Sequence, residues 1–223
     1  MQKPSSTQLA FLMEATSRYH HSLSESRAEE YLESRGLKGE DLRKFRLGVV
    51  DDPMPGHDMY KGWLAIPYMR WSPGQGWTVI TMRFRCLEDH DHGRHGKYMA
   101  HPGSQIHIYN TLAVLGSNDE ICICEGEIDA ITASIHGLPS VGIPGRENWK
   151  SHFYRMFVGY EKIYILADGD QAGKDFAYDV VKTLPKARII NMPEGEDVNS
   201  TAKKFGVNAI LKRMGKLDAG SVA

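Results

Sequence analysis

The chain opens in helical phase. Leu9, Leu12, Met13 and Thr16 recur at spacings of three and four, which predicts an amphipathic helix over residues 7–20. Ser26-Arg-Ala-Glu29 has the form of a capping box, so a helix carrying Ala28, Tyr31 and Leu32 should begin there and stop at Gly36. Another short helix is expected over 40–45. From Trp63 the period falls to two. Residues 64–68 read as a strand ended by Pro67, and Pro73-Gly-Gln-Gly76 reads as a hairpin turn. The returning strand would turn Ile80, Met82, Phe84 and Cys86 one way and Thr81, Arg83 and Arg85 the other, leaving two arginines side by side on a polar face. A polar, glycine-containing loop follows over 88–96 and leads into Lys97-Tyr98.

Beyond residue 119 the pattern becomes strand, helix, strand. Ile121-Cys-Ile-Cys124 is a short, wholly apolar run; Glu125-Gly126 follows, and then a helix with Ile128, Ile131 and Ile135 that ends at Gly137. Residues 139–143 and 163–167 supply a second and a third strand. After the third comes a helix with Ala172, Phe176, Ala177, Val180, Val181 and Leu184 on one face, then a fourth strand over 188–192. Alternation of this kind predicts an α/β domain: a small, mostly parallel sheet flanked by helices on both faces, preceded by an α+β region. The domains are placed at 1–117, 118–203 and a C-terminal helix or tail over 204–223.

Composition narrows the setting. Three cysteines, two of them alternating in an apolar strand, exclude a disulfide framework, and no apolar stretch approaches the length of a membrane span. A cytoplasmic setting with no membrane partner is therefore expected. The net charge of −1 conceals a division: residues 60–110 hold six Lys/Arg against three acids, whereas 116–200 hold 14 acids against 8 Lys/Arg. One surface suited to polyanions and another suited to cations would give that division, and so would solvated surface that merely segregates.

The acids fall at strand ends, where ligands gather in parallel sheets. Glu125 follows the first strand, Asp168 and Asp170 the third, and Asp197 the fourth; Asp129 lies one helical turn beyond Glu125. Carboxylates brought together repel unless a cation neutralises them, and hard oxygen donors without histidine or thiol favour Mg²⁺ or Mn²⁺. Taken alone, Asp170 reads first as the N-cap of the next helix, and the metal reading rests on three separate strand ends closing with acids. An EF-hand loop starting at Asp168 fails, because Ala172 offers no side-chain oxygen and a strand precedes it. His90, His92 and His95 follow no standard zinc spacing, so no structural zinc is expected. Trp63, Tyr68, Trp71 and Trp77 read as packing under the hairpin or as base-stacking groups.

These residues resemble the Toprim domain, whose marks are a glutamate after the first strand, here Glu125, and an Asp-x-Asp after a later one, here Asp168 and Asp170. The wider resemblance is to DnaG-like bacterial and phage DNA primases. It is carried by Ala167-Asp-Gly-Asp-Gln-Ala-Gly-Lys-Asp175, Met192-Pro-Glu-Gly-Glu-Asp197 and Gly142-Ile-Pro-Gly145. Upstream, Tyr31-Leu-Glu-Ser-Arg-Gly-Leu37, Ile66-Pro-Tyr68, Arg83-Phe-Arg85, Lys97-Tyr98 and Ile108-Tyr-Asn110 also match. The resemblance implies RNA primer synthesis on single-stranded DNA from ribonucleoside triphosphates. It makes Glu125, Asp168 and Asp170 catalytic and Glu125, Asp129, Asp168, Asp170 and Asp197 metal ligands, with Glu127 in support. Arg83, Arg85, Lys97, Arg146 and Lys174 would meet phosphates. Asn199 departs from the family, where many members have a further aspartate. The zinc ribbon and helicase region of most primases have no match, which implies a compact core that relies on a replicative helicase and a separate zinc-ribbon chain. A Toprim nuclease, or a non-catalytic helicase- or DNA-binding subunit, is the alternative.

Overall fold

In the computed structural model, residues 4–116 and 119–217 are described. The chain divides into two compact units, Met1–Gln105 and Ile106–Ala223. The boundary expected at 117 falls on residues outside the described set. Residues 106–116 pack with the second unit, because Tyr109 pairs with Gly142 and Asn110 Nδ2 donates to the Ser140 carbonyl at 2.8 Å.

The first unit is a four-stranded antiparallel sheet in the order β1-β2-β3-β4, formed by β1 (Gly48–Val49), β2 (Leu64–Ser72), β3 (Gly76–Arg85) and β4 (Tyr98–Ala100). Helices α1 (Ser6–His21), α2 (Arg27–Ser34) and α3 (Glu40–Arg43) precede it. In α1 the buried stripe runs through Ala15, Thr16 and Tyr19 with Leu12 beside it, whereas Met13 is 41% exposed, a quarter-turn from where the sequence pattern puts it. Ser26 caps α2 as expected, but Glu29 closes no box: its carboxylate accepts from the Glu25 amide at 2.7 Å.

Two expectations for the hairpin need correction. Pro67 does not end β2. The strand runs to Ser72, and Pro67 lies beyond the pairing with the two-residue β1, at an edge position where a missing N–H is tolerated. A bulge between Tyr68 and Met69 leaves Ile80 without a partner in the register, so strict alternation breaks there and Val79 is buried instead. Past the bulge the expected faces hold: Met82, Phe84 and Cys86 join the core with Tyr60 and Trp63, while Arg83 and Arg85 are half-buried on the other face.

The second unit is a parallel sheet in the order β6-β5-β7-β8, made of β5 (Glu120–Cys124), β6 (Ser140–Gly142), β7 (Lys162–Ala167) and β8 (Arg188–Asn191). The helices are α4 (Glu127–Ile135), α5 (Gln171–Val181), α6 (Val198–Phe205) and α7 (Val207–Met214). Ile121 to Cys124 are all buried, as expected of a strand covered on both faces. Ile121, Ile123, Ile163, Ile165 and Ala167 pack with Phe176, Ala177 and Val180 of α5. Burial pushes the Cys122 thiol up to about 12, so it stays a neutral core group. The strand order reverses at β5: the chain steps outward to β6, then crosses back to β7 on the other side. That places a switch point between the carboxyl ends of β5 and β7.

Candidate metal centre

The switch point is where the acids meet. Glu125 follows β5, and Asp168 and Asp170 follow β7. Asp129 is buried on the first turn of α4, and Asp197 begins α6. Burial, then Asp129, Glu125, Asp197 and Asp170 in that order, raise the Asp168 carboxyl to about 8. All four other carboxylates therefore bear electrostatically on the same side chain. Asp168 Oδ1 is buried and has no hydrogen-bond partner among the described residues. A buried carboxylate oxygen in this state is costly unless a cation meets it, so the donor set fits a hard divalent ion. No three of these oxygens lie within 4.8 Å of one another among the described residues, the spread expected of carboxylates that repel.

Asp170 does cap α5. Its Oδ1 accepts from the Gly173 amide at 2.8 Å, which leaves Oδ2 for another partner. Asp197 caps α6 in a full capping box with Ser200. Glu127 is 2% exposed and lies close enough to Tyr109 to oppose its ionisation, which places it in the core of this unit. Asn199 is structural: its amide donates to Asp129 Oδ1 at 3.0 Å and its side chain to Thr132 Oγ1 at 2.9 Å, tying α6 to α4 and aiming Asp129. Lys174 is exposed on the first turn of α5, and the side chain of Arg146 lies outside the described residues.

Two glycines make the site possible. A Cβ on Gly173 would lie 2.4 Å from the Asp168 carbonyl oxygen, so α5 can start this close to the acid only because the residue is glycine. A Cβ on Gly169 would lie 1.8 Å from the Pro193 carbonyl oxygen. Gly169 also donates to the Glu196 carbonyl at 2.8 Å and accepts from the Gly195 amide at 3.2 Å, so the loops after β7 and β8 are stitched together and Asp197 is fixed beside Asp168. A glycine between two acids was the available signal.

The raised Asp168 carboxyl sets a pH test. Its folded value lies above the unfolded one, so its contribution to stability is complete below the ordinary carboxylate range and is lost as pH rises through about 8. A cation reverses that loss, and at lower pH it must first displace the proton. The rise in Tm on adding Mg²⁺ is therefore expected to be larger at about pH 8 than at about pH 6, read by scanning fluorimetry. Equal rises at both would exclude Asp168 as a ligand.

In the antiparallel unit the basic residues are held against aromatic rings. The Arg85 guanidinium lies 4.6 Å from the Tyr31 ring centroid and 4.8 Å from that of Tyr98, and also donates to the Tyr98 hydroxyl; Arg83 lies 5.1 Å from the Tyr98 ring. Arg85, then burial, then Arg35 hold the Lys97 ammonium below its ordinary value, so four cations share one neighbourhood. The sequence reading missed Arg35, which stands at the C-cap of α2 and far from the strand. Trp63 and Tyr68 are buried, whereas Trp71 and Trp77 pair across the hairpin at 43% and 57% exposure.

A Toprim-like family matches residues 122–202. The Gene 57 protein of Mycobacterium phage D29 is 53% identical over 156 residues, which cover 70% of this chain and 100% of that protein. A DNA primase of Pseudomonas putida is 25% identical over an alignment that covers 95% of this chain, which spans 39% of the length of that primase. Among solved structures, a DnaG primase catalytic domain bound to single-stranded DNA superposes with a TM-score of 0.73 at 21% identity, covering 93% of this chain and 80% of that one. The chain belongs to the family of the phage D29 Gene 57 protein, and its Toprim-like domain and its fold are those of a DnaG-like primase core.

Proposed function

We propose that the chain is a DNA primase, a nucleotidyltransferase that makes short RNA primers on single-stranded DNA from ribonucleoside triphosphates. The observation that carries the reading is the convergence of Glu125, Asp129, Asp168, Asp170 and Asp197 on the β5/β7 switch point, with a buried Asp168 oxygen left for a cation. Asp168, Asp170 and Asp197 are the principal ligands of Mg²⁺ or Mn²⁺, with Glu125 as ligand or proton acceptor. When bound, such an ion neutralises the triphosphate and stabilises the attacking and leaving oxygens.

The protein's part is to hold and orient. Asp170 and Asp197 are fixed by the helix amides they cap, and Asp129 is fixed by Asn199. Lys174 at the start of α5, together with Arg146, would meet the triphosphate. Arg83, Arg85 and Lys97 bind phosphates of template or primer without reading bases, with the two arginines already oriented by tyrosine rings. The DNA in the related structure supports a single-stranded template. No described helix is long and apolar enough to cross a membrane, and the reading places the protein in the cytoplasm of a bacterial host, working with a helicase and a separate zinc-ribbon chain.

The test incubates the protein with single-stranded DNA, labelled ribonucleotides and Mg²⁺. DNA-dependent oligoribonucleotides are expected; shortened DNA without RNA would identify a nuclease, and no product even with a helicase and a zinc-ribbon partner would sink the reading. Replacing Arg85 by Gln should weaken single-stranded DNA binding and reduce the slope of log affinity against log salt by about 0.7, one phosphate contact. An unchanged slope would take Arg85 out of the interface.

A further inference from the structure

The loop between β3 and β4 holds a cluster that the primase reading does not use. Cys86 Sγ lies 4.0 Å from His90 Nε2, and His90 Nε2 lies 3.1 Å from His95 Nε2. One donor atom from each of the three falls within 4.8 Å of the others, and no other such trio of His, Cys, Asp or Glu exists among the described residues. A tetrahedral zinc site has N···N edges of about 3.3 Å and N···S edges of about 3.6 Å, from bond lengths near 2.0 and 2.3 Å. The observed separations bracket those edges.

The outward-facing nitrogens strengthen the case. His90 Nδ1 lies 3.3 Å from Glu88 Oε2, and His95 Nδ1 lies 3.2 Å from the Gly96 carbonyl oxygen. Carboxylate and carbonyl oxygens only accept, so both Nδ1 atoms carry the hydrogen, and in the neutral rings both Nε2 atoms present lone pairs. Two lone pairs at 3.1 Å repel unless a proton or a metal ion sits between them. The arrangement is that of metal-bound histidines, each oriented by an oxygen behind it. A bridging proton would leave a third group unserved: His92 Nε2 is buried without a hydrogen-bond partner, its ring centred 4.6 Å from that of His90 and 5.5 Å from that of His95. Asp91 is occupied instead in capping the turn, accepting from the Gly93 amide at 3.1 Å.

We propose that Cys86, His90 and His95 bind a zinc ion, with the His92 ring packed beside them. One thiolate and two imidazoles, with no hard oxygen, select zinc over magnesium. The ion is structural. It fastens the loop to Cys86 at the end of β3, where the Cys86 amide also donates to the Lys97 carbonyl at 3.0 Å, and so holds Lys97 in register with Arg83 and Arg85. The sequence expectation of no structural zinc counted only histidines, because Cys86 reads as an ordinary core residue of β3.

The test measures metal in the full chain purified without chelators, by elemental analysis and by the absorption of the cobalt-substituted protein. About one zinc per chain is expected, and cobalt should show a thiolate charge-transfer band with tetrahedral d–d absorption. His95→Gln lies on the loop and should remain folded by circular dichroism yet lose the zinc, as should Cys86→Ser. Glu88→Gln should weaken zinc affinity about 10–100-fold through loss of the oxygen behind His90. Asp168→Asn with Asp170→Asn should keep the zinc, which separates this site from the acidic one. A folded, zinc-supplemented wild type without stoichiometric metal overturns the proposal, and so does full zinc in both His95→Gln and Cys86→Ser.

Discussion

Replacing Asp168 or Asp170 by Asn is expected to cut primer synthesis by at least about 100-fold, the loss of roughly 3 kcal/mol that follows when a divalent ion is no longer held against the reacting phosphate. The same changes should leave the fold intact, for different reasons. Asn caps a helix about as well as Asp, so Asp170→Asn keeps the bond to Gly173, whereas Asp170→Ala would forfeit about 1 kcal/mol of cap. At Asp168 the amide removes a buried charge that Asp129, Glu125, Asp197 and Asp170 all oppose, so the metal-free variant should melt no lower than wild type above about pH 8, and higher if anything. Activity and stability then move in opposite directions, a combination that a purely structural pair of aspartates cannot produce. Tm without metal, together with oligoribonucleotide yield with it, provides the check. Near-normal yield from both variants would remove Asp168 and Asp170 from the catalytic set.

The strand ends could be read in advance because the signal there is simple. In the parallel unit, β5 and β7 are apolar runs that stop at an acid, and their burial on both faces means that no in–out alternation has to be read to place them. The antiparallel unit was less legible. One extra residue at Ile80 inverts the in–out pattern for part of β3, and nothing in local composition marks a bulge made by pairing with a distant strand. The two-residue β1 lies below what periodicity can detect, although Gly48 marks it: a Cβ there would come within 2.3 Å of the Tyr19 carbonyl carbon of α1.

Residue identity proved a weak guide to role where partners come from far along the chain. Asn199 reads as a substituted metal ligand until its bonds to Asp129 and Thr132, some seventy positions earlier, show a bracket between helices. Glu127 shares a turn with Asp129 but is directed towards Tyr109. Arg35 joins Arg85 and Lys97 only through the packing of α2. In each case the decisive neighbour is tertiary, and a single sequence carries no term for it.

Gly169→Ala should be the most damaging single-methyl change in the acidic unit. The added carbon would fall 1.8 Å from the Pro193 carbonyl oxygen and 3.1 Å from Glu194 Cα, both backbone atoms with no side chain to swing aside. Relief requires the loops after β7 and β8 to separate, which breaks the Gly169–Glu196 and Gly195–Gly169 hydrogen bonds that hold them. Overpacking of this kind costs about 1–3 kcal/mol, and the broken bonds add about 1 kcal/mol each. The functional cost should exceed the structural one. Asp197 rides on the displaced loop and Asp168 sits at the other side of the seam, so the separation that relieves the clash also pulls the two ligands apart. The expected result is a lower Tm, loss of the Mg²⁺-dependent rise in Tm, and primer synthesis reduced to the level of Asp168→Asn. A variant that melts lower but keeps the full Mg²⁺ response would show that the ion is held by the β5 and β7 acids alone, and would remove Asp197 from the ligand set.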